Sequence, residues 1–227
     1  MAAHAARLLR RESVAERTMA FHFERPAGFA QRAGQSLLLS LEGETKPFTI
    51  ASAPHDPALM IATRMRDSDF KSRLGALLAG DGVAIDGPNG VMVLHEDAAR
   101  PAVFLAGGIG VTPFLSMARD AAQRRLAHRI TLFYSNRRPQ DAPFLGELQG
   151  LQSRNRNFRL VTTMTDAEWH GEQGYIDAAM LGRHLDDVKL PVYYFAGPPA
   201  MTMAMQAMLA GLGVDEASMN SEEFYGY

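Results

Sequence analysis

The sequence contains no cysteine. This absence excludes disulfide bonds, a thiolate nucleophile and any iron–sulfur cluster bound by cysteines of this chain. The seven histidines are scattered along the 227 residues, and no pair has the spacing that puts two imidazoles on one helix face. A metal site, and a zinc site in particular, is therefore not expected.

An excess of positive charge and long apolar runs are absent as well. The formal net charge is −2, whereas phosphate binding needs a basic face, so nucleic acid is not expected as a partner. The longest apolar stretches, such as Ser36–Leu41, are too short to cross a bilayer. No signal-peptide core follows the basic segment Met1–Arg11. We expect a cytoplasmic protein without a membrane span.

The first part of the chain has the pattern of short strands separated by turns. Thr18–Glu24 nearly alternates between two faces, and Ala58–Met65 follows a turn rich in proline. A single helical pattern covers Lys71–Ala79. Many short antiparallel strands with one helix predict a small β-barrel, which we assign to residues 1–97.

From residue 98 onward the pattern changes to alternating strands and helices. Ala102–Leu105 and Ile130–Tyr134 are candidate buried strands, and helical patterns follow them at Pro113–Arg125 and Ala142–Ser153. Alternating β and α units predict a parallel, doubly wound sheet. The sequence therefore predicts a second, α/β domain over residues 98–227.

A glycine-rich turn joins the first strand and first helix of this α/β half. It contains Gly107, Gly108 and Gly110, followed by Thr112 and Pro113. Glycines allow close backbone approach to a pyrophosphate, and a helix N-terminus carries free N–H groups. Thr112 is expected to cap the helix, and Pro113 suits its first turn. The pattern predicts a nucleotide site, and a turn required only for tight packing is the alternative.

The segment after the second strand of the α/β half carries Ser135, Arg137 and Arg138. In a dinucleotide fold this position meets the adenosine ribose, where an acidic residue suits a 2′-hydroxyl and arginine suits a 2′-phosphate. Because no acidic residue lies between Ser135 and Arg138, the sequence favours NADPH over NADH. A solvated basic loop is the alternative.

Taken together, the motifs resemble the ferredoxin–NADP reductase superfamily over almost the whole chain. The resemblance depends on five segments in the family's order: Lys46-Pro47-Phe48-Thr49, the run from Gly80 to Gly90, the run from Gly107 to Pro113, Ala196-Gly197-Pro198-Pro199-Ala200-Met201, and Glu222-Glu223-Phe224-Tyr225-Gly226-Tyr227.

The resemblance implies a flavin on the barrel, FAD or alternatively FMN. Phe48 would stack on the flavin ring, Thr49 would lie near its hydride-accepting nitrogen, and Lys46 would neutralise a phosphate in place of the family's arginine. The implied cofactor site of the barrel comprises Lys46, Pro47, Phe48, Thr49, Ser52, Thr63, Arg64 and Ser72.

The resemblance also implies a nicotinamide site at the end of the α/β half. Gly197, Pro198 and Met201 would face the nicotinamide, although Met201 also fits a core position. Phe224 and Tyr227 would return to the flavin, and Glu222 or Glu223 would orient the nicotinamide amide. Thr49, Glu223 and Phe224 are the candidate catalytic residues. The alternative is that the terminal aromatics close the edge of the last strand.

The implied function is hydride transfer from NAD(P)H to bound flavin, followed by electron delivery to a separate acceptor. Since the chain lacks cysteines for an iron–sulfur cluster, the acceptor would be ferredoxin, another redox protein or a small oxidant. The alternatives are a free-flavin or ferric reductase of the same fold, a reductase component that works within a complex, and a non-catalytic nucleotide-binding module.

Overall fold

The structure is a computed structural model and describes residues 3–224. Two six-stranded sheets follow one another along the chain, the first antiparallel and the second parallel. The predicted fold class, an antiparallel barrel-type domain followed by an α/β domain, is confirmed. The boundary between residues 97 and 98 stays a prediction.

The first sheet has the strand order β4-β3-β6-β1-β2-β5. On β3 the side chains of Leu37 and Leu39 are buried while Ser36 and Ser40 lie on the outer face, as the alternation of a strand requires. The edge strands β4 and β5 meet through one bridge, Ile50 to Ile61, so the sheet is barrel-like without a continuous closing ladder. Its elements are β1 (His4–Ala15), β2 (Thr18–Glu24), β3 (Ser36–Leu41), β4 (Glu44–Thr49), β5 (Ala58–Arg64), α1 (Asp69–Ala76) and β6 (Gly82–Asn89).

The second sheet has the order β10-β9-β8-β7-β11-β12, and its neighbouring strands are parallel. Every residue of β7 and β11 is buried, as expected for central strands covered on both faces. The elements are β7 (Ala102–Gly107), α2 (Thr112–Arg124), β8 (Ile130–Asn136), α3 (Leu145–Arg154), β9 (Phe158–Met164), β10 (Glu172–Gln173), α4 (Ala178–His184), β11 (Val192–Gly197), α5 (Pro199–Gly211) and β12 (Met219–Glu223). No helix within residues 3–224 is long and apolar enough to cross a membrane.

The start of α3 differs from the sequence prediction. The helical pattern predicts a start at Ala142, but a 3-10 turn occupies Pro139–Asp141 and the helix begins at Leu145. Phe144 separates the two because its backbone is left-handed, with φ of 60°. A bulky residue in this conformation interrupts the helix, and its identity gives no signal of it.

One buried hydrophobic cluster spans the two halves. Ala51 and Met60 of the barrel half belong to the same buried cluster as Phe114 and Met117 of α2. The Ser116 hydroxyl, on the same helix, donates a hydrogen bond of 2.7 Å to the Ser52 carbonyl. Helix α2 therefore packs against both sheets, and its hydrogen bond to Ser52 ties the segment after β4 to the α/β half.

The glycine at position 34 permits this close packing. Its φ is 95°, and a Cβ there would lie 2.2 Å from the Met92 carbonyl oxygen and 2.4 Å from Met117 Cε. Gly28 also has a positive φ, 77°, but a Cβ there would meet nothing within 4 Å. The two glycines therefore differ in surroundings rather than in the sign of φ.

We predict that Gly34→Ala destabilises the protein much more than Gly28→Ala. Gly28→Ala should cost about 1–2 kcal/mol for the left-handed backbone, and Gly34→Ala about 2–5 kcal/mol because overpacking adds to that cost. Urea unfolding of both variants measures the difference. Equal losses at the two positions would show that close packing at Gly34 is not what requires glycine.

Candidate functional site

The glycine turn, residues 107–111, lies at the carboxyl edge of the parallel sheet. A Cβ on Gly110 would lie 2.2 Å from the Ala196 carbonyl oxygen, and one on Gly107 would lie 2.4 Å from Met201 Sδ. Gly108 has φ of 54°, and the space where its Cβ would point is open. Two glycines thus let the turn pack on β11 and α5, while the third leaves the backbone accessible.

Thr112 does not cap α2 as the sequence predicts. It is the first residue of the helix, and its hydroxyl donates to the Ile109 carbonyl at 3.1 Å. Because the 3-10 turn Gly108–Val111 runs directly into α2, the residue before the helix is Val111, which has no side-chain cap. Pro113 lies in the first turn, as expected.

On the barrel, the end of β4 brings a hydroxyl to the same region. Thr49 is 4% exposed, and within residues 3–224 its Oγ1 has no hydrogen-bond partner. The preceding Phe48 is half-buried against the barrel core and stacks on Phe70 of α1, with ring centroids 5.9 Å apart. Lys46 is exposed and forms a 3.0 Å ion pair with Glu44. Pro47, between Lys46 and Phe48, is exposed too.

Two hydroxyls predicted to bind the cofactor take part in contacts of the barrel itself. Ser52 is buried, and its Oγ accepts a 2.9 Å hydrogen bond from the Met60 backbone N–H. Thr63 is buried too, and its hydroxyl donates over 3.5 Å to the Arg64 carbonyl.

The other two predicted phosphate ligands of the barrel are more accessible. Ser72 is exposed on α1, and its backbone N–H is already donated to the Ser68 carbonyl. The guanidinium of Arg64 forms no ion pair with any residue between 3 and 224. It lies near Asp141 and, after Arg138, helps to hold the pKa of that carboxyl below its usual range.

Glu222 on β12 faces Thr49 from the parallel sheet. Its neighbour across the strands is Ala196 of β11. Burial raises the pKa of Glu222 to about 7, and the Thr49 hydroxyl opposes that rise. Among the described residues neither Thr49 Oγ1 nor Glu222 Oε2 has a partner at hydrogen-bonding geometry, so the contact is a close approach without a formed hydrogen bond. A polar pair from two sheets thus meets in a dry environment.

Glu223 and Phe224, which follow Glu222, make other contacts. Glu223, the acidic residue predicted to be catalytic, is exposed, and its Oε1 accepts a 3.3 Å hydrogen bond from Thr202. Phe224 is half-buried against the cluster that spans both halves, and its N–H donates to the Gly197 carbonyl at 3.1 Å. Strand alternation separates the two acidic residues and turns Glu222 toward Thr49. Tyr227 lies outside the described residues.

The Gly-Pro segment joins this region to the glycine turn. Gly197 ends β11, and a Cβ there would lie 3.6 Å from the Gly107 backbone nitrogen. Pro198 precedes α5, and its carbonyl accepts from the Met201 N–H at 2.9 Å. The Met201 sulfur lies against Gly107 and Gly197, so this side chain packs on the core and also reaches the edge.

The arginines after β8 are both paired with carboxylates. Arg137 Nε donates to Asp166 at 2.8 Å, and Arg138 forms a two-pronged pair with Asp141 at 2.8 and 3.0 Å. Arg138 also reaches Glu16 of the barrel half at 3.0 Å. These bonds raise the pKa of both guanidiniums and lower those of Asp141 and Asp166. Ser135, near the end of β8, is half-buried.

Comparison with known proteins identifies the α/β half first. Residues 104–207 match the family model described as the oxidoreductase NAD-binding domain. A component of the Na(+)-translocating NADH-quinone reductase of Yersinia pestis (strain Pestoides F) is 30% identical over 198 residues, which cover 84% of this chain and 46% of the relative. The corresponding Shewanella denitrificans protein is 31% identical over 69% of this chain and 40% of its own length. The chain spans about half the length of these curated relatives.

Solved structures extend the similarity to both halves. A cytochrome P450 reductase from Amycolatopsis, GcoB, superposes with a TM-score of 0.87 at 24% identity, covering 98% of this chain and 70% of that one. A ferredoxin NADP+ reductase from Neisseria gonorrhoeae with bound FAD and NADP gives 0.83 at 19% identity, covering 96% and 97%.

The glycine turn therefore lies within a segment that matches the oxidoreductase NAD-binding domain, residues 104–207. The barrel-like sheet and the parallel sheet together have the fold of the cytochrome P450 reductase and of the ferredoxin NADP+ reductase.

The raised pKa of Glu222 predicts a pH-dependent stability difference. Since the folded-state pKa of about 7 lies above the ordinary 4.5, this side chain's contribution is complete below about pH 4.5 and is lost as the pH rises through 7. Glu222→Gln keeps the neutral form. It should match the parent near pH 4.5 and exceed its stability at pH 8 by up to roughly 3 kcal/mol.

Urea unfolding at a series of pH values measures this difference. Glu223→Gln is the control because it makes the same change at the exposed neighbouring residue. A constant offset between Glu222→Gln and the parent from pH 4.5 to 8 would contradict the raised pKa.

Proposed function

We propose that this protein is a flavin-dependent NADH oxidoreductase that passes electrons to a separate acceptor. The observation that carries the proposal is the pair formed by Thr49 and Glu222, which come from different sheets and present polar atoms unpartnered within residues 3–224. The glycine turn approaches the same region through its contact with Ala196, the strand neighbour of Glu222. A division into domains at residues 97 and 98 is part of this proposal.

The barrel residues fit a flavin. A buried hydroxyl without a partner costs free energy, which a ring nitrogen beside Thr49 would recover. Phe48 is half-buried and offers an aromatic surface. For the phosphates, Arg64 is better placed than Lys46, because Lys46 is already paired with Glu44. FAD is the favoured flavin, and FMN is the alternative.

When bound, the flavin supplies the hydride acceptor and can release electrons one at a time. The chain contributes positioning and a dry environment. Thr49 holds a hydroxyl at the junction of the sheets, and Glu222 holds a proton near neutral pH because burial raises its pKa to about 7. Phe224 donates its N–H to the Gly197 carbonyl and packs against the buried cluster that spans both halves. Orientation and water exclusion are the main sources of rate enhancement in such a site.

The charges beside the predicted ribose site favour NADH, in contrast to the expectation from sequence. Arg137 and Arg138 are already paired with three carboxylates, Asp166, Asp141 and Glu16. A 2′-phosphate would have to displace a carboxylate from a guanidinium, whereas a 2′-hydroxyl would not. The names of the curated relatives, NADH-quinone reductases, agree with this choice.

A separate electron acceptor is part of the proposal. Structural neighbours include reductases named for a cytochrome P450 and for ferredoxin, and their variety leaves a redox protein or a small oxidant as the acceptor class. A free-flavin reductase and a component of a larger complex are the alternatives. The second alternative is supported by the names of the curated relatives, which are components of an NADH-quinone reductase.

The flavin assignment predicts the effect of changes on β4. Phe48→Ala combined with Lys46→Glu should strip flavin from a protein that remains folded, because the stacking surface is lost and a negative charge faces the phosphates. Absorbance near the flavin band measures occupancy, and circular dichroism monitors the fold. Arg11→Glu is the control, an equal charge reversal on an exposed residue of β1. Full flavin occupancy in the double variant would refute this assignment.

The coenzyme assignment predicts that NADH binds more tightly than NADPH. Asp166→Asn combined with Glu16→Gln frees both guanidiniums from part of their pairing, and should shift the affinity ratio toward NADPH by about tenfold. Fluorescence titration with each coenzyme measures both affinities. Asp186→Asn, which removes one exposed carboxylate after α4, should leave the ratio unchanged. A parent protein that prefers NADPH would overturn the argument.

A further inference from the structure

Asn136 has a buried side-chain amide without hydrogen bonds to the described part of the chain. It is 5% exposed, and within residues 3–224 neither its Nδ2 nor its Oδ1 has a hydrogen-bond partner. Buried polar side chains in native proteins nearly always have partners, and an unsatisfied one carries its full desolvation penalty. An amide with both ends unsatisfied therefore points to a ligand that supplies both contacts.

The position of Asn136 places it at the carboxyl edge of the parallel sheet. It is the last residue of β8, and its predecessor Ser135 lies across from Gly107 of β7. Asn136 is therefore level with the start of the glycine turn, where the open side of Gly108 leaves space. Ligands of open α/β sheets bind at this edge.

The backbone around Asn136 is fixed independently of its side chain. The Asn136 carbonyl accepts a 3.0 Å hydrogen bond from Thr165 N–H, and the Arg137 carbonyl accepts one of 2.9 Å from Asp166 N–H. Two residues earlier on the same face, the Tyr134 hydroxyl donates to the Pro143 carbonyl at 2.9 Å. These contacts hold the strand end and the following loop, so the amide is not required to keep them in place.

The chemistry of the amide selects its partner. A side-chain amide has two donor hydrogens and one acceptor oxygen. A hydroxyl can accept from Nδ2 and donate to Oδ1, whereas a phosphate only accepts and would leave Oδ1 unsatisfied. The guanidiniums of Arg137 and Arg138 near this strand end are already paired with Asp166, Asp141 and Glu16, so a phosphate would have to displace a carboxylate to reach them.

We propose that Asn136 binds the hydroxyls of the adenosine ribose of the nicotinamide coenzyme and is a specificity-determining residue for an unphosphorylated ribose. This inference rests on the proposed function and deepens it, because it names the group that recognises the ribose. Arg137 and Arg138 then keep their ion pairs with the carboxylates, and the neutral side chain of Asn136 recognises the ribose.

The variant that tests the inference is Asn136→Leu, which keeps the approximate size and removes both polar atoms. Without coenzyme it should unfold at the parental temperature or higher, because two unsatisfied groups are lost. It should bind NADH about five- to tenfold more weakly than the parent. Thermal unfolding and NADH fluorescence titration give the two readouts, and neither depends on turnover.

Asn157→Leu is the matched control. Asn157 Nδ2 donates a 3.3 Å hydrogen bond to the Leu126 carbonyl before β9, at the opposite edge of the sheet. The same substitution there should lower the unfolding temperature and leave NADH affinity unchanged. The two variants are thus expected to show reciprocal patterns.

A second measurement uses the parent protein alone. NADH analogues that lack the 2′- or the 3′-hydroxyl of the adenosine ribose should bind at least about fivefold more weakly than NADH in one case or both. This comparison remains decisive if Asn136→Leu fails to fold.

The outcomes separate the two levels of inference. If the parent binds NADH but Asn136→Leu loses stability and keeps parental affinity, the amide has a structural role and this inference is overturned. Equal affinity of the parent for NADH and both analogues would overturn it too. If the parent binds no nicotinamide coenzyme, both the proposed function and the inference about Asn136 are overturned.

Discussion

The close approach of two backbone segments at Gly110 organises the carboxyl edge of the parallel sheet. Any side chain there would collide with the Ala196 carbonyl, 2.2 Å from the position of a Cβ. This contact brings the glycine turn against β11, and the pairing of β11 with β12 then sets Glu222 beside Ala196. The turn and the buried carboxyl therefore occupy one region because a glycine permits the backbones to touch.

Helix α2 extends this constraint to the barrel. It starts at the glycine turn and packs its apolar face against both sheets, with Ser116 and Arg119 bonded to the carbonyls of Ser52 and Ala51. Thr49 lies three residues before Ser52 in the chain, so the anchor is close to the site. The junction of Thr49 and Glu222 is dry as a result, and this desolvation raises the pKa of the Glu222 carboxyl.

Periodicity and turn chemistry were sufficient to predict the order and type of nearly all elements. Thr18–Glu24 has the predicted bounds, and the glycine turn lies between its strand and helix as expected. The two-residue strand Glu172–Gln173 is too short to show a period, and the left-handed Phe144 carries no sequence signal. The site was less accessible to prediction. The partner of Arg138 from the barrel half, Glu16, is 122 residues away in the chain, and no local pattern reveals it.

The same limit explains why the sequence did not reveal that the cation at the motif position is engaged in an ion pair. Lys46 occupies the motif position, yet it pairs with Glu44, which Arg73 also contacts. A paired cation must lose its partner before it can neutralise a phosphate, so part of the binding energy is spent on that exchange. Arg64 has no such partner within the described chain, and β5 brings it toward the glycine turn. The availability of a cation to any anion therefore depends on the carboxylates that the fold places around it, and Lys46 is engaged by Glu44 whereas Arg64 forms no ion pair within the described chain.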